Sequence, residues 1–575
     1  MRQIRSALLV VAICMTSSLF AQSPSETLAI IISEVEEHQG YDRKEYPMGL
    51  FTRAYFKSEA DFATKQLEKL NKISSDDLSE TEAISLTLLS FRLQDGVDFY
   101  TFERFLNPLL SDSGFHVSFP YMVRPLNDYG QVKNYLTRLN AIPGYVDQYL
   151  PLLREGLEKG VSQPRVIFKG YESSYDSHIV SSFEESYFYG PFKNLPESLS
   201  QTQKDSVLRE AKKAITNHVI PQFKRIKTFF EEEYFPKTRT SIGASETPNG
   251  KDYYQNRINY YTTSTQYTAD DIHQIGLGEV ARIRAEMAKI IEELNFKGSF
   301  ADFLQFLRTD EQFYAKSAKE LLMIARDMAK RADEQLPKFF KTLPRKPYGV
   351  APVPDAIAPK YTGGRYVGTS KNSTSPGYYW VNTYDLPSRP LYTLPSLTVH
   401  EAVPGHHLQG SLNNELGDSI PQFRRNMYLS AYGEGWGLYT EFLAAEMGMY
   451  TTPYERFGQL TYEMWRACRL VVDTGIHAKG WTRDQVVDFM ASNTALSLHE
   501  VNTETDRYIS WPGQALSYKI GELKIRELRK RAKAQLGNKF DIREFHEIIL
   551  EQGTVTLSIL EQRMDAYIER NKNGS

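Results

Sequence analysis

The residues most able to carry out chemistry lie in one segment, His400-Glu401-Ala402-Val403-Pro404-Gly405-His406-His407. Many zinc peptidases use the pattern H-E-x-x-H on a helix, where two imidazoles one turn apart bind one metal ion. The glutamate beside the first histidine accepts a proton from the water that the metal activates, and a third protein ligand completes the set. The chain has 11 histidines, and the clustering of three of them here favours a metal site over a structural origin.

The spacing departs from the common pattern because Pro404, not a histidine, stands four residues after His400. On a regular helix, His406 lies roughly 240° around from His400, and His407 lies on the same face but about 10 Å further along. Proline forbids a regular helix here, since it lacks an N–H and clashes with the preceding turn. We therefore expect a local bulge. Leaving out Pro404 and Gly405 restores H-E-x-x-H with His406 as the second ligand, and His407 is the alternative.

The third ligand is expected from the downstream segment 431–441, which offers two carboxylates. Glu434 and Glu441 are seven residues apart and therefore share a helix face. Glycines flank Glu434 and allow its backbone to approach another element closely. We predict Glu434 as the metal ligand and Glu441 as the carboxylate that holds a ligand imidazole, although either could bind. Two imidazoles and one carboxylate favour Zn²⁺ as the ion.

These motifs resemble a bacterial family called domain of unknown function 885. The resembling stretches are 379–383, 400–409, 434–436, 469–477 and 507–521. That family is grouped with the gluzincin metallopeptidases, and its members are often taken to be peptidases. The resemblance therefore implies a zinc-dependent peptidase with a mostly helical body and a deep cleft, similar to oligopeptidases and angiotensin-converting-type carboxypeptidases.

Several polar residues after the motif are candidates to assist peptide hydrolysis. The oxyanion that forms when water attacks a peptide carbonyl needs a hydrogen-bond donor, worth roughly 3 kcal/mol. Tyr518 is the preferred donor, and Tyr508 and His477 are alternatives. Arg507 and Lys519 are candidates to bind a substrate carboxylate, for which arginine offers a bidentate grip. For each residue alone, a packed tyrosine, a satisfied buried histidine or a surface charge is the structural alternative.

Apolar residues at helical spacing dominate the chain and predict a mainly α fold. Thr268 to Asp271 resembles a capping box that starts one helix. A second helix is expected from about residue 317 to 336, with Pro337 closing it. Another is expected to begin at Thr482, after a Gly-Trp break.

A small β element is expected next to the metal-binding helix. The segment 343–395 is rich in Pro, Gly, Tyr and Ser, and within it 377–383 is aromatic and β-branched, which suits a strand. We expect Asn382 to lie on this strand at an edge of the sheet, where the strand could hold substrate backbone by strand addition. We divide the chain into a signal peptide at 1–21, a helical region at 22–342 and a catalytic region at 343–575, the last two packed as one body.

The first 21 residues have the layout of a secretory signal peptide. Arg2 and Arg5 precede an apolar run over 7–15, which is too short to span a membrane. Cleavage is expected after Ala21, which places the protein in the periplasm or outside the cell. Cys14 as a lipid attachment site is the alternative, although the residue before it is larger than usual.

The composition narrows the class of partner. A formal net charge of −3 argues against a general nucleic-acid binder, which would carry a basic surplus. We expect peptide substrates and no transmembrane span. One alternative is a zinc hydrolase of a non-protein amide, such as a cell-wall peptide or an amino-acid conjugate. Another is an inactive, peptidase-like binding protein. The sequence leaves peptide specificity, exo- or endo-action and oligomeric state open.

Overall fold

The computed structural model describes residues 22–355, 357–371 and 373–573. The predicted signal peptide, with Cys14, lies outside these residues. The helices before the sheet are α1 Pro24–Glu37, α2 Arg53–Leu70, α3 Glu80–Thr101, α4 Tyr129–Glu158, α5 Ser173–Asp176, α6 Gln201–Ala214, α7 Ile220–Thr228, α8 Gly250–Thr262, α9 Ala269–Glu293, α10 Phe300–Thr309 and α11 Ala318–Phe339.

A small sheet interrupts the helices, and a second helical series follows it. The strands are β1 Tyr348–Pro352, β2 Gly364–Val367 and β3 Gly377–Val381. The later helices are α12 Leu394–Glu401, α13 His406–Asn414, α14 Gln422–Arg425, α15 Ser430–Glu446, α16 Pro453–Lys479, α17 Arg483–Asn493, α18 Leu498–Ser510, α19 Leu516–Leu536, α20 Ile542–Leu550 and α21 Leu557–Asn573. The prediction of a mainly α fold with a small β element is confirmed.

Capping boxes start the helices where the sequence predicts them. Before α9, the Thr268 hydroxyl accepts the N–H of Asp271, and the Asp271 carboxylate accepts the N–H of Thr268 at 3.0 Å. Thr482 and Gln485 form the same reciprocal pair before α17. Each box satisfies backbone donors that a helix start leaves without partners.

Helix α11 extends beyond the end that the sequence predicts. It starts after Ser317 but runs to Phe339, with Pro337 inside its last turn, so the prediction that Pro337 closes it is wrong. The missing proline N–H removes only a single helical bond at this position. The turn is completed by the N–H of Phe340, which donates to Leu336 O at 2.9 Å.

Strand β3 is the centre of the sheet, which has the order β1-β3-β2. It pairs in parallel with β1 and antiparallel with β2. Asn382 directly follows β3, so the prediction that it belongs to an edge strand is wrong. β2 packs against α12, which sets the sheet beside the helix that carries His400.

The hydrophobic core joins the N-terminal and C-terminal halves of the chain. One large cluster contains Leu139 and Met464, and the other contains Leu88 and Trp436, all fully buried. Helix α9 packs along α16, and α15 packs along α19. Within the described ranges, no helix is both long and apolar enough to cross a membrane.

Candidate metal centre

A tight turn between α12 and α13 brings His400 and His406 together. The sequence predicts a bulge within one helix, but the structure ends one helix and starts another. Ala402 leaves the helical conformation (φ −90°, ψ −108°), and Pro404 follows in the turn. A Cβ on Gly405 would lie 1.8 Å from the carbonyl oxygen of His400, so only glycine fits. The two imidazole ring centres are 4.8 Å apart and nearly perpendicular.

Helix α15 passes close to this turn and supplies Glu434. A Cβ on Gly437 would lie 2.7 Å from the His400 ring, so the absence of a side chain lets the helix approach. The indole N–H of Trp436 donates to Pro404 O at 2.8 Å. This bond ties α15 to the turn and fixes Glu434 relative to both imidazoles.

The three predicted ligand side chains converge. Oε2 of Glu434 lies 3.5 Å from Nε2 of His400 and 3.4 Å from Nε2 of His406. One ligand atom from each of the three lies within 4.8 Å of the others. Donor atoms in a tetrahedral zinc site with bonds of about 2.05 Å are roughly 3.3 Å apart, so this donor set fits such an ion.

The electrostatics of the cluster match a site built for positive charge. Burial by itself would raise the pKa of Glu434, but the nearby His406 and His400 hold that pKa well below its usual value. Burial would lower the pKa of His400, but hydrogen bonding to Glu434 and Glu441 raises it to about 10. The carboxylates therefore favour a cation at the imidazoles.

A second carboxylate holds His400 from behind. Oε1 of the fully buried Glu441 lies 2.7 Å from Nδ1 of His400. This contact fixes the ring orientation and leaves Nε2 facing Glu434, as in the carboxylate–histidine pairs that support metal ligands. The Tyr450 hydroxyl donates to the backbone oxygen of Glu441 at 2.7 Å.

Glu401 faces the sheet side of the site. Its Oε2 accepts the backbone N–H of Tyr366, in β2, at 2.7 Å. Burial lowers the pKa of His400, and the negative charge of Glu401 adds to the hydrogen bonds with Glu434 and Glu441 that raise it. Glu401 is thus held by the strand, half-buried, next to the candidate ligands.

Tyr428 is a site residue that the sequence analysis missed. Its hydroxyl donates to Oε1 of Glu434 at 3.0 Å. The residue is 55% exposed overall, but the surroundings of its hydroxyl, first through burial and then through Glu434 and Tyr518, raise its pKa well above the usual value. Tyr518 lies on α19, whose Gly521 packs against Gly435 of α15. A tyrosine six residues before the ligand carries no spacing signal, because a loop precedes α15.

His407 points away from the three ligands. Its ring packs 4.7 Å from that of Tyr348, and its Nδ1 contacts the hydroxyls of Tyr366 at 3.1 Å and Ser411 at 3.2 Å. Burial lowers its pKa to about 4. His407 therefore packs against the sheet, while His406 faces Glu434.

Two of the predicted oxyanion donors face other partners. His477 is fully buried, and its ring nitrogens contact the N–H of Ala244 at 3.0 Å and the carbonyl of Tyr508 at 2.9 Å. The Tyr508 hydroxyl accepts from Trp465 at 2.8 Å and from Arg469 at 2.9 Å. Both residues are structural in this fold, which corrects their assignment as donors.

Lys519 and Asn382 are also placed in structural roles, which corrects their assignment to substrate binding. The Lys519 ammonium is fully buried and pairs with three carboxylates, at 2.8–2.9 Å, from Glu279, Glu463 and Glu522. The Asn382 amide is fully buried and donates to the carbonyls of Ala358, Tyr361 and Thr362. Neither side chain has an atom left for a substrate.

Contacts within the protein occupy only part of the Arg507 guanidinium. Its guanidinium contacts Glu504 at 3.3 Å and donates to the Gln514 side chain at 2.8 Å. Its side chain is 21% exposed, so it remains accessible near Tyr518.

Comparisons with known proteins agree with this fold. A crystal structure described as "the putative lipoprotein from Colwellia psychrerythraea" is 28% identical, with a TM-score of 0.87 over 95% of this chain and 100% of that one. A structure of "a putative lipoprotein of unknown function from Shewanella oneidensis" is 19% identical, with a TM-score of 0.69 over the same shares, and shows the fold alone. No curated protein gives a significant match.

The family comparison covers nearly the whole chain. The model of the family described as "Bacterial protein of unknown function (DUF885)" matches residues 35–564, which include α12, α13, α15 and the sheet. The protein therefore belongs to the DUF885 family.

Proposed function

We propose that the protein is an exported, zinc-dependent peptidase that hydrolyses peptide bonds of oligopeptides. The observation that carries the proposal is the convergence of His400, His406 and Glu434, from helices α12, α13 and α15, so that one ligand atom of each lies within 4.8 Å of the others. Imidazole and carboxylate donors in this number are the set used by catalytic zinc sites, which keep a fourth position open. Membership of the DUF885 family, which is grouped with the gluzincin metallopeptidases, supports the same assignment.

Zinc bound by these three residues would supply Lewis acidity, lowering the pKa of water to about 7 and polarising a substrate carbonyl. The buried Glu441 would keep His400 in the tautomer that presents Nε2 to the ion. Imidazole ligands and the small donor spacing favour zinc over calcium or magnesium, which prefer six or more oxygen ligands.

Glu401 is the proposed general base. It directly follows His400, and the Tyr366 N–H holds its carboxylate beside the ligands. In the reaction, the water oxygen bonds to the peptide carbonyl carbon and its proton passes to Glu401. The carboxyl group then returns the proton to the leaving nitrogen as the C–N bond breaks, which is ordinary general acid–base catalysis.

A tyrosine hydroxyl is proposed to stabilise the oxyanion. Tyr428 keeps its proton at neutral pH because burial and Glu434 raise its pKa well above the usual value. Tyr518, on α19, is the donor that the sequence favours. Either phenol can donate to charge that develops on the carbonyl oxygen.

Export is proposed from two independent observations. The first is the signal-like start of the chain. The second is that two similar solved structures carry the description "putative lipoprotein", and lipoproteins are exported. Lipid attachment at Cys14 is therefore retained as the alternative to cleavage after Ala21.

The direct test measures metal content and hydrolysis on the same purified protein. We expect about one zinc ion per chain by elemental mass spectrometry. We also expect cleavage of a mixed peptide pool that a chelator abolishes and added zinc restores. Protein that binds no zinc, or that cleaves nothing in its zinc form, would contradict the proposal. Cleavage confined to cell-wall peptides or N-acyl amino acids would favour the non-protein amide alternative.

A further inference from the structure

Four arginines lie around two glutamates, close to Tyr518. We call this group the arginine cluster, and its members are Arg389, Arg466, Arg469 and Arg507, around Glu500 and Glu504. Arg466 and Arg469 lie on α16, and Arg507 and both glutamates lie on α18. The cluster carries four positive and at most two negative charges, so at least two positive charges are uncompensated.

Arg466 has the most unsatisfied side chain in the cluster. It is only 6% exposed, and its Nε and Nη1 are buried without a hydrogen-bond partner in the described part of the chain. Its guanidinium is held between rings, with Cζ 3.9 Å from the centre of Trp465 and 4.9 Å from that of Tyr462. A buried guanidinium without partners is costly, so an anionic ligand would remove the penalty.

The neighbours of Arg466 do not neutralise it. Glu504 pairs with Arg469 at 3.0 Å and with Arg507 at 3.3 Å. Glu500 is the other acid near Arg466, but burial and the adjacent Glu504 raise its pKa to about 7. At neutral pH, Glu500 is therefore only partly ionised. It compensates the positive charge of Arg466 only in part.

The cluster is next to the candidate metal centre. The Tyr518 ring centre lies 4.2 Å from Cζ of Arg469 and 5.8 Å from Cζ of Arg466. Gly521, one turn after Tyr518 on α19, packs against α15 beside Glu434, because a Cβ on Gly435 would lie 2.6 Å from the Cα of Gly521. The part of α19 that carries Tyr518 therefore lies close to both the arginine cluster and the helix that supplies Glu434.

We propose that the arginine cluster binds the C-terminal carboxylate of a peptide substrate, which makes the protein a carboxypeptidase. This inference rests on the proposed function and names its substrate class. A planar carboxylate matches the two-pronged donor geometry of a guanidinium. With its carboxylate on Arg466, a peptide places a bond near its C-terminus beside Tyr518 and the metal ligands. A carboxylate on an acidic side chain has the same chemistry, and the experiment separates the two sources.

The first arm measures binding without metal, so it does not depend on zinc or turnover. N-acetylated tripeptides ending in Ala, Leu, Phe or Lys are titrated into chelator-treated protein as free acids and as C-terminal amides. We expect at least one free acid to bind ten-fold or more tightly than its amide. An amide carrying a penultimate Glu should not recover this affinity. Equal affinity for acids and amides, no binding of any free acid, or recovery by the Glu side chain would overturn the inference.

Variants then assign the preference to Arg466. Arg466→Gln should abolish the difference between acid and amide, and Arg466→Lys should retain part of it, because it keeps the charge but not the fork. Arg154→Gln is the matched control, since Arg154 also stacks on an aromatic ring, that of Phe229, and pairs with Glu233 elsewhere on the protein. Unchanged selectivity in both Arg466 variants, each with a wild-type melting temperature, would contradict the assignment.

The second arm adds zinc and measures cleavage of the same peptides. Release of C-terminal residues from free acids but not from amides supports both proposals. Equal cleavage of acids and amides keeps the peptidase proposal and overturns the carboxylate site. Carboxylate-selective binding without any cleavage supports the site and contradicts the peptidase proposal.

Discussion

Oε1 of Glu441 lies 2.7 Å from Nδ1 of His400, and both side chains are buried. The carboxylate therefore sets the orientation of an imidazole whose other nitrogen faces Glu434. A partner of this kind commonly changes metal affinity by 10- to 100-fold when it is lost.

We predict that Glu441→Ala lowers zinc affinity by about 10- to 100-fold, because His400 loses the group that orients it. Glu441→Gln should lose less, since its amide oxygen still accepts the Nδ1 proton. Competition with a zinc chelator measures both affinities. Glu446→Ala, on the same helix but paired with Arg529 near the surface, is the control. Wild-type affinity in Glu441→Ala would contradict the positioning role.

The ligand set itself is tested by single alanine variants. His400→Ala, His406→Ala and Glu434→Ala should each lose most of the bound zinc, because each removes one of three converging donors. His407→Ala should retain zinc, because its ring packs against Tyr348 instead. Elemental analysis of folded protein, checked by circular dichroism, gives the comparison. Loss of zinc in His407→Ala but not in His406→Ala would reverse the assignment.

Close packing of α15 against His400 makes a further prediction. A Cβ at position 437 would meet the His400 ring at 2.7 Å, so Gly437→Ala should displace that ring and weaken zinc binding. Gly278→Ala is the control, because this exposed glycine of α9 has open space around its Cβ position. The control should stabilise the protein by up to about 1 kcal/mol, as alanine is the better helix former. Equal zinc affinity in Gly437→Ala and wild type would show that α15 shifts to accommodate the added methyl group without disturbing His400.

Residue type and spacing were enough to predict the candidate ligand side chains that the structure brings together. The motif supplied His400, Glu401 and His406, and the downstream glycine-flanked carboxylate supplied Glu434. Leaving Pro404 and Gly405 out of the H-E-x-x-H spacing pointed to His406. The structure places His406 beside His400 because the two omitted residues belong to the turn between two helices. The helical body followed from apolar periodicity and capping boxes, which are local signals.

Contacts between residues that are distant in the sequence could not be predicted from local patterns. Three polar residues near the motifs are Asn382, His477 and Lys519. Each is buried and finds its hydrogen-bond or ion-pair partners inside the protein. Most of their partners lie far away in sequence, such as Ala244 for His477. Tyr428 and Arg466 were missed for the same reason, because only the packing of separate elements brings them to the site.

Buried histidines predict a loss of stability in acid. Burial lowers the pKa of His546 from 6.5 to about 3, so below pH 6.5 the unfolded chain takes up a proton that the native state excludes. This stability is present above pH 6.5 and is lost as the pH falls towards 3. From pH 7 to pH 5 the loss is about 2 kcal/mol.

The test of this acid effect compares His546→Gln with wild type by urea unfolding at both pH values. The variant should lose about 2 kcal/mol less than wild type between pH 7 and pH 5, because glutamine does not titrate. His499→Gln, at an exposed position of α18, should match wild type. An unchanged pH dependence in His546→Gln would mean that His546 does not contribute to acid unfolding.

Glu401 is proposed to act as the general base beside a zinc ion. The variant Glu401→Gln tests this role. Glutamine keeps the size of the side chain and an oxygen to accept the Tyr366 N–H, but it cannot take a proton from water. Zinc content, melting temperature and hydrolysis of the peptide pool are measured on variant and wild type together. We expect normal zinc content and folding, with hydrolysis reduced by at least about 100-fold. Full hydrolytic activity in a zinc-loaded Glu401→Gln protein would contradict it.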